Sequence, residues 1–505
     1  MKTTKIFMMA ALALMMTACS NDDNDQTAPK PNADGEITVT AKINVNDGSA
    51  LTRAVADNGT TITSGLAVDE EIAVLFSDGT DNLKRTATVK SIAAGTATIE
   101  FTIPSTLADG TACTLVYPAT AANAANTDVD TYANLLAAQT GTLGANLDVR
   151  KGTATILNDG TTASLSGTPS LAAQFAIFKL TLQDLSAVGK TATKFIVSDG
   201  SNNVITTVTP TSATGTLYVA LPVLAAGTYW FNATIDNKPY IAKATVATAT
   251  TAGNYYQSTV KLATIGDVIL TDGKFAAKGS YGEQAVIAYV GKVDKYFDKF
   301  LAIALEDVTA PSQMFTAPSQ MFTWATALTK ANKYANTHPI TIGGTTYDTS
   351  TTDTYYDKVA SDQNTTSATR TTGVVKGWRM PSVTDWRYIF DGIGRIKNNV
   401  KLIAKKQISG EWTTYSPESG ATPTNPLGVV NEMYYYKDGD ALDASSLRAA
   451  INEACGNTAL QSNTYWSSSE YSDDSVNVWR YRFSFGGFWC NVKTNTLYVR
   501  AVFAY

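Results

Sequence analysis

Histidine occurs once in these 505 residues, at His338, and cysteine only four times. No C-x-x-C pair and no Cys/His cluster is present, so the inventory argues against His-ligated zinc and against Ser-His-Asp or Cys-His catalysis. Charge is also sparse. Asp, Glu, Lys and Arg make up 16% of the chain, against about 25% in ordinary soluble domains. The formal net charge is -5 and no Lys/Arg run occurs, which removes the concentrated basic face that phosphate binding needs and disfavours nucleic acid as a partner. Near the start the only sustained apolar run is Ile6 to Ala18, short of the roughly 20 residues of a membrane span. What is abundant is apolar residues at 44%, with Thr and Ala prominent through the first half. Thr on exposed strand faces does the work of Lys and Glu elsewhere, and the balance fits a β-rich extracellular chain.

The apolar run follows Lys2 and Lys5 and ends at Met16-Thr17-Ala18-Cys19. A basic start and a short apolar core read as a secretory signal over 1–18, and the last four residues resemble a bacterial lipobox, which implies lipid modification of Cys19. Ser20 to Asp25 is polar and acidic, similar to the surface-export signal of some lipoproteins. Residues 19–34, with Pro29 and Pro31, read as an acidic tether. The implied location is the cell outer membrane, facing outward.

From Glu36 the chain alternates with period two. Ile37, Val39, Ala41, Ile43 and Val45 fall on one face, a half-buried strand. EIAVLF at 71–76, TATIEFTIP at 96–104 and TLVYPA at 114–119 continue the pattern, with Asp-Gly pairs at 47, 78 and 109 as turn signals. A second series runs through AIFKLTLQDL, KFIVSDG, TLYVALP, GTYWFNATID and NYYQSTVKLA. Many short strands without long helical periods predict two Greek-key-like β-sandwich modules, over 35–165 and 166–263. The lipobox, Leu51-Thr52-Arg53-Ala54, LAVDEEIAVLF, AGTYWFNATI and AGNYYQSTVKLA together resemble the fimbrillin family of lipoprotein pilus subunits. That family usually carries Trp and Gly-Asp before the strand at Ile72 to Phe76, where this chain has Val68-Asp69-Glu70-Glu71. The resemblance implies cleavage between Arg53 and Ala54, loss of the first strand, and acceptance of a strand from another fimbrial subunit into the vacated groove. An uncleaved surface arginine is the alternative.

After residue 264 aromatics, Lys and helical periodicity increase. TWATALTKANKYA reads as an amphipathic helix, and before it TAPSQMF is repeated in tandem at 309–315 and 316–322, a duplication with no function attached. Thr345 to Thr372 reads as a long loop. Ser382 with Asp385 predicts a capped helix burying Trp386, Ile389, Phe390 and Ile393, and a helix at about 443–454 buries Leu447, Ala450 and Ile451. Gly-Trp-Arg-Met-Pro-Ser at 377–382, Tyr-Trp-Ser-Ser-Ser-Glu at 465–470, a Phe-x-Phe-Gly-Gly hairpin and Val-Arg-Ala-Val at 499–502 are similar to bacterial C-type-lectin-like domains of the sulfatase-modifying-factor-like and major-paralogous-domain groups. The resemblance implies an α+β domain over 264–505 in which Trp378, Arg379, Trp386, Trp466, Ser467 and Arg500 are framework.

The stretch between the last two framework motifs also resembles the variable region of retroelement-diversified lectin-fold proteins. On that reading Tyr471, Asp473, Asp474, Asn477, Trp479, Tyr481, Phe483, Phe488 and Asn491 are candidate ligand contacts, a paratope-like mixture of aromatics and small polar residues. The alternative is an aromatic hairpin core. The Glu-Pro-Asn and Trp-Asn-Asp motifs of calcium-dependent lectins are missing, and neither metal nor cofactor is expected. Cys455 and Cys490 are a candidate disulfide, with Cys113 left as a small buried hydrophobe. The whole reads as a non-enzymatic fimbrial tip adhesin whose ligand is an extracellular glycan or protein. The competing expectation is a surface lipoprotein that binds such a ligand without polymerising.

Overall fold

The computed structural model describes residues 35–44, 56–57, 62–63, 66–131, 134–135, 139–144, 147–291, 297–308, 326–327, 334–348, 376–394, 402–408, 411–415, 433–437, 444–456, 460, 463–470, 477–484 and 487–505. Strands in several sheets predominate, and the chain divides into two compact units. One comprises Met1–Asp47, Ala67–Asp128 and Gly152–Leu171, and the other Gly48–Leu66, Val129–Lys151 and Ala172–Tyr505.

The first unit is built on β1 (Glu36–Asn44), β2 (Glu71–Ser77), β3 (Asn82–Ala93), β4 (Thr96–Pro104), β5 (Thr111–Tyr117), β6 (Arg150–Asn158, from Gly152 on) and β7 (Ala163–Leu165). The ladder runs β7-β1-β4-β3-β2-β5-β6, and β6 also pairs with β7, so the sheet closes on itself and leaves no open edge between them. Period two decides which side chains point inward. In β4, Ala97, Ile99, Phe101 and Ile103 are buried while the alternate residues stay half-exposed. In β2 the continuous run Ile72 to Phe76 is buried on both faces. The β2–β3 turn is made by the Asp-Gly pair. Gly79 takes a φ of +93°, and the Asp78 carboxylate accepts from the amides of Thr80 and Asp81, both at 2.8 Å. Those two amides, Asp81 first, hold the Asp78 carboxyl below its ordinary range.

In the second unit β8 (Ala176–Asp184), β9 (Lys194–Ser198), β10 (Val204–Val208), β11 (Thr216–Leu221), β12 (Gly227–Ile235), β13 (Lys238–Val246) and β14 (Tyr255–Thr264) form one sheet in the order β10-β9-β12-β13-β14-β8-β11. It wraps a core that includes Leu182, Phe195, Val197, Leu217, Val219 and Leu262. The two end strands share one buried side chain, Gln139. Its amide donates to Thr206 Oγ1 (2.9 Å) and Ala220 O (3.0 Å), and its carbonyl accepts from Ala220 N (2.8 Å).

The remainder of this unit carries β15 (Val268–Leu270), β16 (Phe275–Ala276), β17 (Glu283–Val290), β18 (Phe300–Ala304), β19 (Gly377–Arg379), helix α1 (Val383–Ile389), a π-helical turn at Phe390–Gly394, β20 (Leu402–Ile408), β21 (Glu411–Tyr415), β22 (Met433–Lys437), helix α2 (Ala444–Ala454), β23 (Thr464–Glu470), β24 (Asn477–Arg482), β25 (Gly487–Val492) and β26 (Val502–Ala504). One sheet runs β16-β15-β17-β18-β26-β19 and the other β21-β20-β22-β25-β24-β23. As the spacing anticipates, Ser382 and Asp385 cap α1 reciprocally. Asp385 N donates to Ser382 Oγ (3.0 Å) and Ser382 N to Asp385 Oδ2 (2.9 Å). The π-turn packs so closely that a Cβ on Gly392 would sit 1.8 Å from the Ala288 carbonyl oxygen, which only glycine avoids.

No break in packing falls at residue 263. Trp230, Ile241 and Ala263 belong to the same buried cluster as Phe300, Trp378, Trp386, Tyr481 and Phe503. Lys299, 1% exposed, reaches back to Asn202 Oδ1 (2.7 Å) and lies over the Trp230 ring at 5.6 Å.

Candidate functional site

β1 holds a position that only a strand with two complementary neighbours can fill. All nine of its residues pair antiparallel with β4, from Glu36 opposite Pro104 to Asn44 opposite Thr96. On its other side Val39 stands opposite Ala163 of β7 in a parallel contact. Ile37, Val39 and Ile43 are fully buried and Ala41 is 6% exposed, while Thr40 and Lys42 face outward. Among the described residues a half-exposed ion pair, Glu36 with Arg85 of β3 at 3.1 Å, adds charge to the contact, and such pairs contribute about 0–1 kcal/mol. Main-chain ladders and alternate apolar side chains therefore hold β1, the chemistry of β-augmentation. A slot emptied of β1 would expose two ladder edges and four apolar sockets. Val45, Cys19, Arg53 and Ala54 lie outside the described residues.

The described chain resumes at Ala56–Asp57, which pairs with Ile62–Thr63. The Asp57 carboxylate is gripped by Lys179 Nζ of β8 and by the Tyr218 hydroxyl of β11, which donates to Oδ2 at 2.6 Å. Burial, and then the Asp57 hydrogen bond, pushes the Tyr218 phenol up to about 12. Burial and the charge of Asp57 also push Tyr255 of β14 up to about 12. No sequence pattern marks this cluster, since its members lie far apart in the chain.

The aromatic C-terminal segment divides differently from the ligand-face expectation. Trp479 is 1% exposed, Phe483 2%, and Tyr481 and Phe488 not at all. All four side chains are buried in the core. The reason is the cover above β24. That inner strand meets α1 and the π-turn, and Tyr481 packs on Phe390, Phe483 and Phe488 at ring separations of 4.5, 4.8 and 4.9 Å. Phe483 also meets Tyr465 edge-on at 5.4 Å. Tyr471, Asp473 and Asp474 lie outside the described residues, as does the side chain of Asn477, whose backbone opens β24. Asn491 is half-buried and turns inward on its own hairpin, accepting from Asn495 Nδ2 (2.6 Å) and Val492 N (3.0 Å).

Cys455 lies buried at the end of α2, with Sγ 3.7 Å from the Ala304 carbonyl that accepts from it. Burial pushes this thiol up. The side chain of Cys490, its candidate disulfide partner, lies outside the described residues. Cys113 is free and buried, as anticipated.

The framework motifs are buried ionic and indole anchors. Arg379 and Asp385, both fully buried, pair at 2.7 Å (Nη2–Oδ1) and 3.1 Å (Nε–Oδ2). Arg500 Nε lies 2.9 Å from Asp307 Oδ1, and Tyr465 donates to Asp307 Oδ2 at 2.8 Å. Trp378 Nε1 donates to His338 O (2.7 Å) and Trp386 Nε1 to Trp466 O (3.3 Å). Sequence reasoning found the arginines and indoles but missed Asp307, which no motif flags. Among the described residues no group of three or more His, Cys, Asp or Glu side chains is placed to hold a metal, and no helix is long and apolar enough to cross a membrane.

No protein-family model matches the sequence, and no curated protein does. Solved structures do match. A fimbrial protein from Bacteroides ovatus is 12% identical over 93% of this chain and 99% of its own, with a TM-score of 0.22. A fimbrial assembly protein from Parabacteroides distasonis is 13% identical over 44% of this chain and 90% of its own (TM-score 0.25). The tip fimbrial protein of Porphyromonas gingivalis, with a C-terminal truncation, is 10% identical over 45% and 98% (TM-score 0.22). Identity is low and superposition weak in all three.

Proposed function

We propose that this chain is a non-enzymatic surface lipoprotein that enters a fimbrium by strand exchange and holds its C-terminal region outward as the binding end. The observation that carries the reading is β1. It lies N-terminal to Arg53, is flanked on both sides, and buries one side chain in two, so a cut after Arg53 leaves a strand tied only by non-covalent contacts. The Leu51-Thr52-Arg53-Ala54 segment and the lipobox at Cys19 supply the processing signals.

A tip position follows from strand supply. β26 is fixed between β18 and β19, with Leu301 and Gly377 both opposite Ala504, so it is not spare for donation to a neighbour. A subunit with β26 held in this way accepts a strand and keeps this one. With Trp479, Tyr481, Phe483 and Phe488 in the core, the ligand contacts proposed here narrow to Tyr471, Asp473, Asp474 and Asn477, joined by Asn491. The ligand class remains an extracellular glycan or protein. Mass spectrometry of the surface-exposed protein tests the assembly reading. A mature chain beginning at Ala54 within high-mass assemblies is the expected result. A chain that stays acylated at Cys19 with residues 36–44 intact and monomeric would overturn it in favour of a tethered binder that never polymerises.

A further inference from the structure

Asp57 stands four residues after Arg53, and its surroundings are specific. Lys179 and Tyr218 are direct cross-strand partners of β8 and β11, and the Lys179 ammonium also lies 5.9 Å from the centre of the Tyr218 ring. Tyr255 comes from β14, the next strand across, so three adjacent strands of one sheet converge on a single carboxylate. The Asp57 side chain is 10% exposed and Lys179 22%, far less than the surface pair Lys274–Asp272 at 75% and 51%. The short ladder with Ile62–Thr63 gives the segment its own main-chain bonds. Residues 48–66 accordingly belong with the second unit, whereas β1 belongs with the first.

We propose that Asp57 is the anchor of the mature amino terminus. This rests on the processing reading above: a cut after Arg53 divides a strand held by non-covalent contacts from a new terminus beginning at Ala54, and the Asp57–Lys179–Tyr218 clasp keeps that terminus docked on β8 and β11. The cut then frees the first strand without creating a loose tail. The partner chemistry is narrow. An ammonium and a phenol donor facing one another select a carboxylate, and among the described residues lining the adjoining pocket Thr140, Thr142, Thr214 and Thr216 present hydroxyls while Lys179 is the one cation.

Amide hydrogen exchange on the full chain tests the anchor before and after digestion with an arginine-specific protease. In the native protein the amides of 56–63 are expected to exchange slowly in both states. In Asp57→Asn and in Lys179→Met they exchange about tenfold faster or more, while peptides from β9 and β12 keep their protection. Asp57→Glu, which retains the carboxylate, recovers part of the slowing. Unchanged exchange of 56–63 in both Asp57→Asn and Lys179→Met overturns the anchor even where the cut after Arg53 proceeds normally. Protection that depends on Asp57 in a chain the protease never cuts at Arg53 supports the anchor and removes the processing reading instead.

Discussion

Ile43→Ala in a chain already cut after Arg53 measures how tightly the first strand sits. Ile43 is fully buried on the inward face of β1, opposite Ala97. Truncating a buried isoleucine to alanine costs about 2–5 kcal/mol, the lost transfer free energy plus the cavity left behind. Once the peptide bond after Arg53 is broken, β1 is bound to its groove as a ligand would be, and the cost falls on that affinity. At about 1.4 kcal/mol per tenfold, the dissociation constant of the strand rises roughly 30-fold to several thousand-fold. Lys42→Ala, one residue away and facing outward, is the matched control and shifts stability by no more than about 0.5 kcal/mol, near twofold. The fraction of fragment retained can be read by native mass spectrometry, with a synthetic peptide spanning 35–45 as competitor. Equal retention in the two variants would refute the argument, because it would mean that the alternating apolar face contributes nothing to holding the strand.

Phe483→Ala and Phe488→Ala are each expected to lower the stability of the second unit by about 3–5 kcal/mol in denaturant titrations; unchanged unfolding with lost ligand binding would restore them as contacts. Asp307→Asn strips the partner from the buried Arg500 and should cost about 3–5 kcal/mol. Glu100→Gln, at the exposed 4.0 Å pair with Lys90, should cost less than about 1 kcal/mol, and equal effects would show that burial does not set the difference. His338 stacks on Tyr334 at 4.0 Å, and burial pushes its pKa below the ordinary 6.5. As pH falls through 6.5 the unfolded chain takes up this proton first, so stability present above 6.5 is lost down to the folded pKa. The loss in native protein between about pH 7 and pH 5 should exceed that in His338→Gln, and identical profiles would contradict the shift.

The parts of the fold that follow local rules were legible in the residues. The alternation of Ile37, Val39, Ala41 and Ile43 predicts the buried face of β1, and Ser382 with Asp385 predicts the start of α1. The pair at Asp78-Gly79 likewise predicts the turn between β2 and β3. What was not legible depends on partners distant in sequence. Trp479 and Tyr481 have the composition of a binding surface, and only the cover of α1 and Phe390 makes them core. Trp230 reads as an ordinary sandwich residue, yet it meets Tyr505 at 5.3 Å and joins stretches that the composition shift near residue 264 separates. Asp57 finds Lys179 across a long span of chain, and no periodicity announces such a pair.

The placement of β26 sets the order in which the chain can mature. Its three residues bridge β18 to β19, and the Tyr505 carbonyl accepts from the amides of Lys299 (2.7 Å) and Phe300 (3.0 Å). A polypeptide emerging amino end first carries the halves of this sheet for a long interval before the strand that joins them arrives. Until then β18 is paired on its β17 side alone, and β19 has no other neighbour among the described strands. This sheet therefore closes only once β26 has been made, however early its other strands pair.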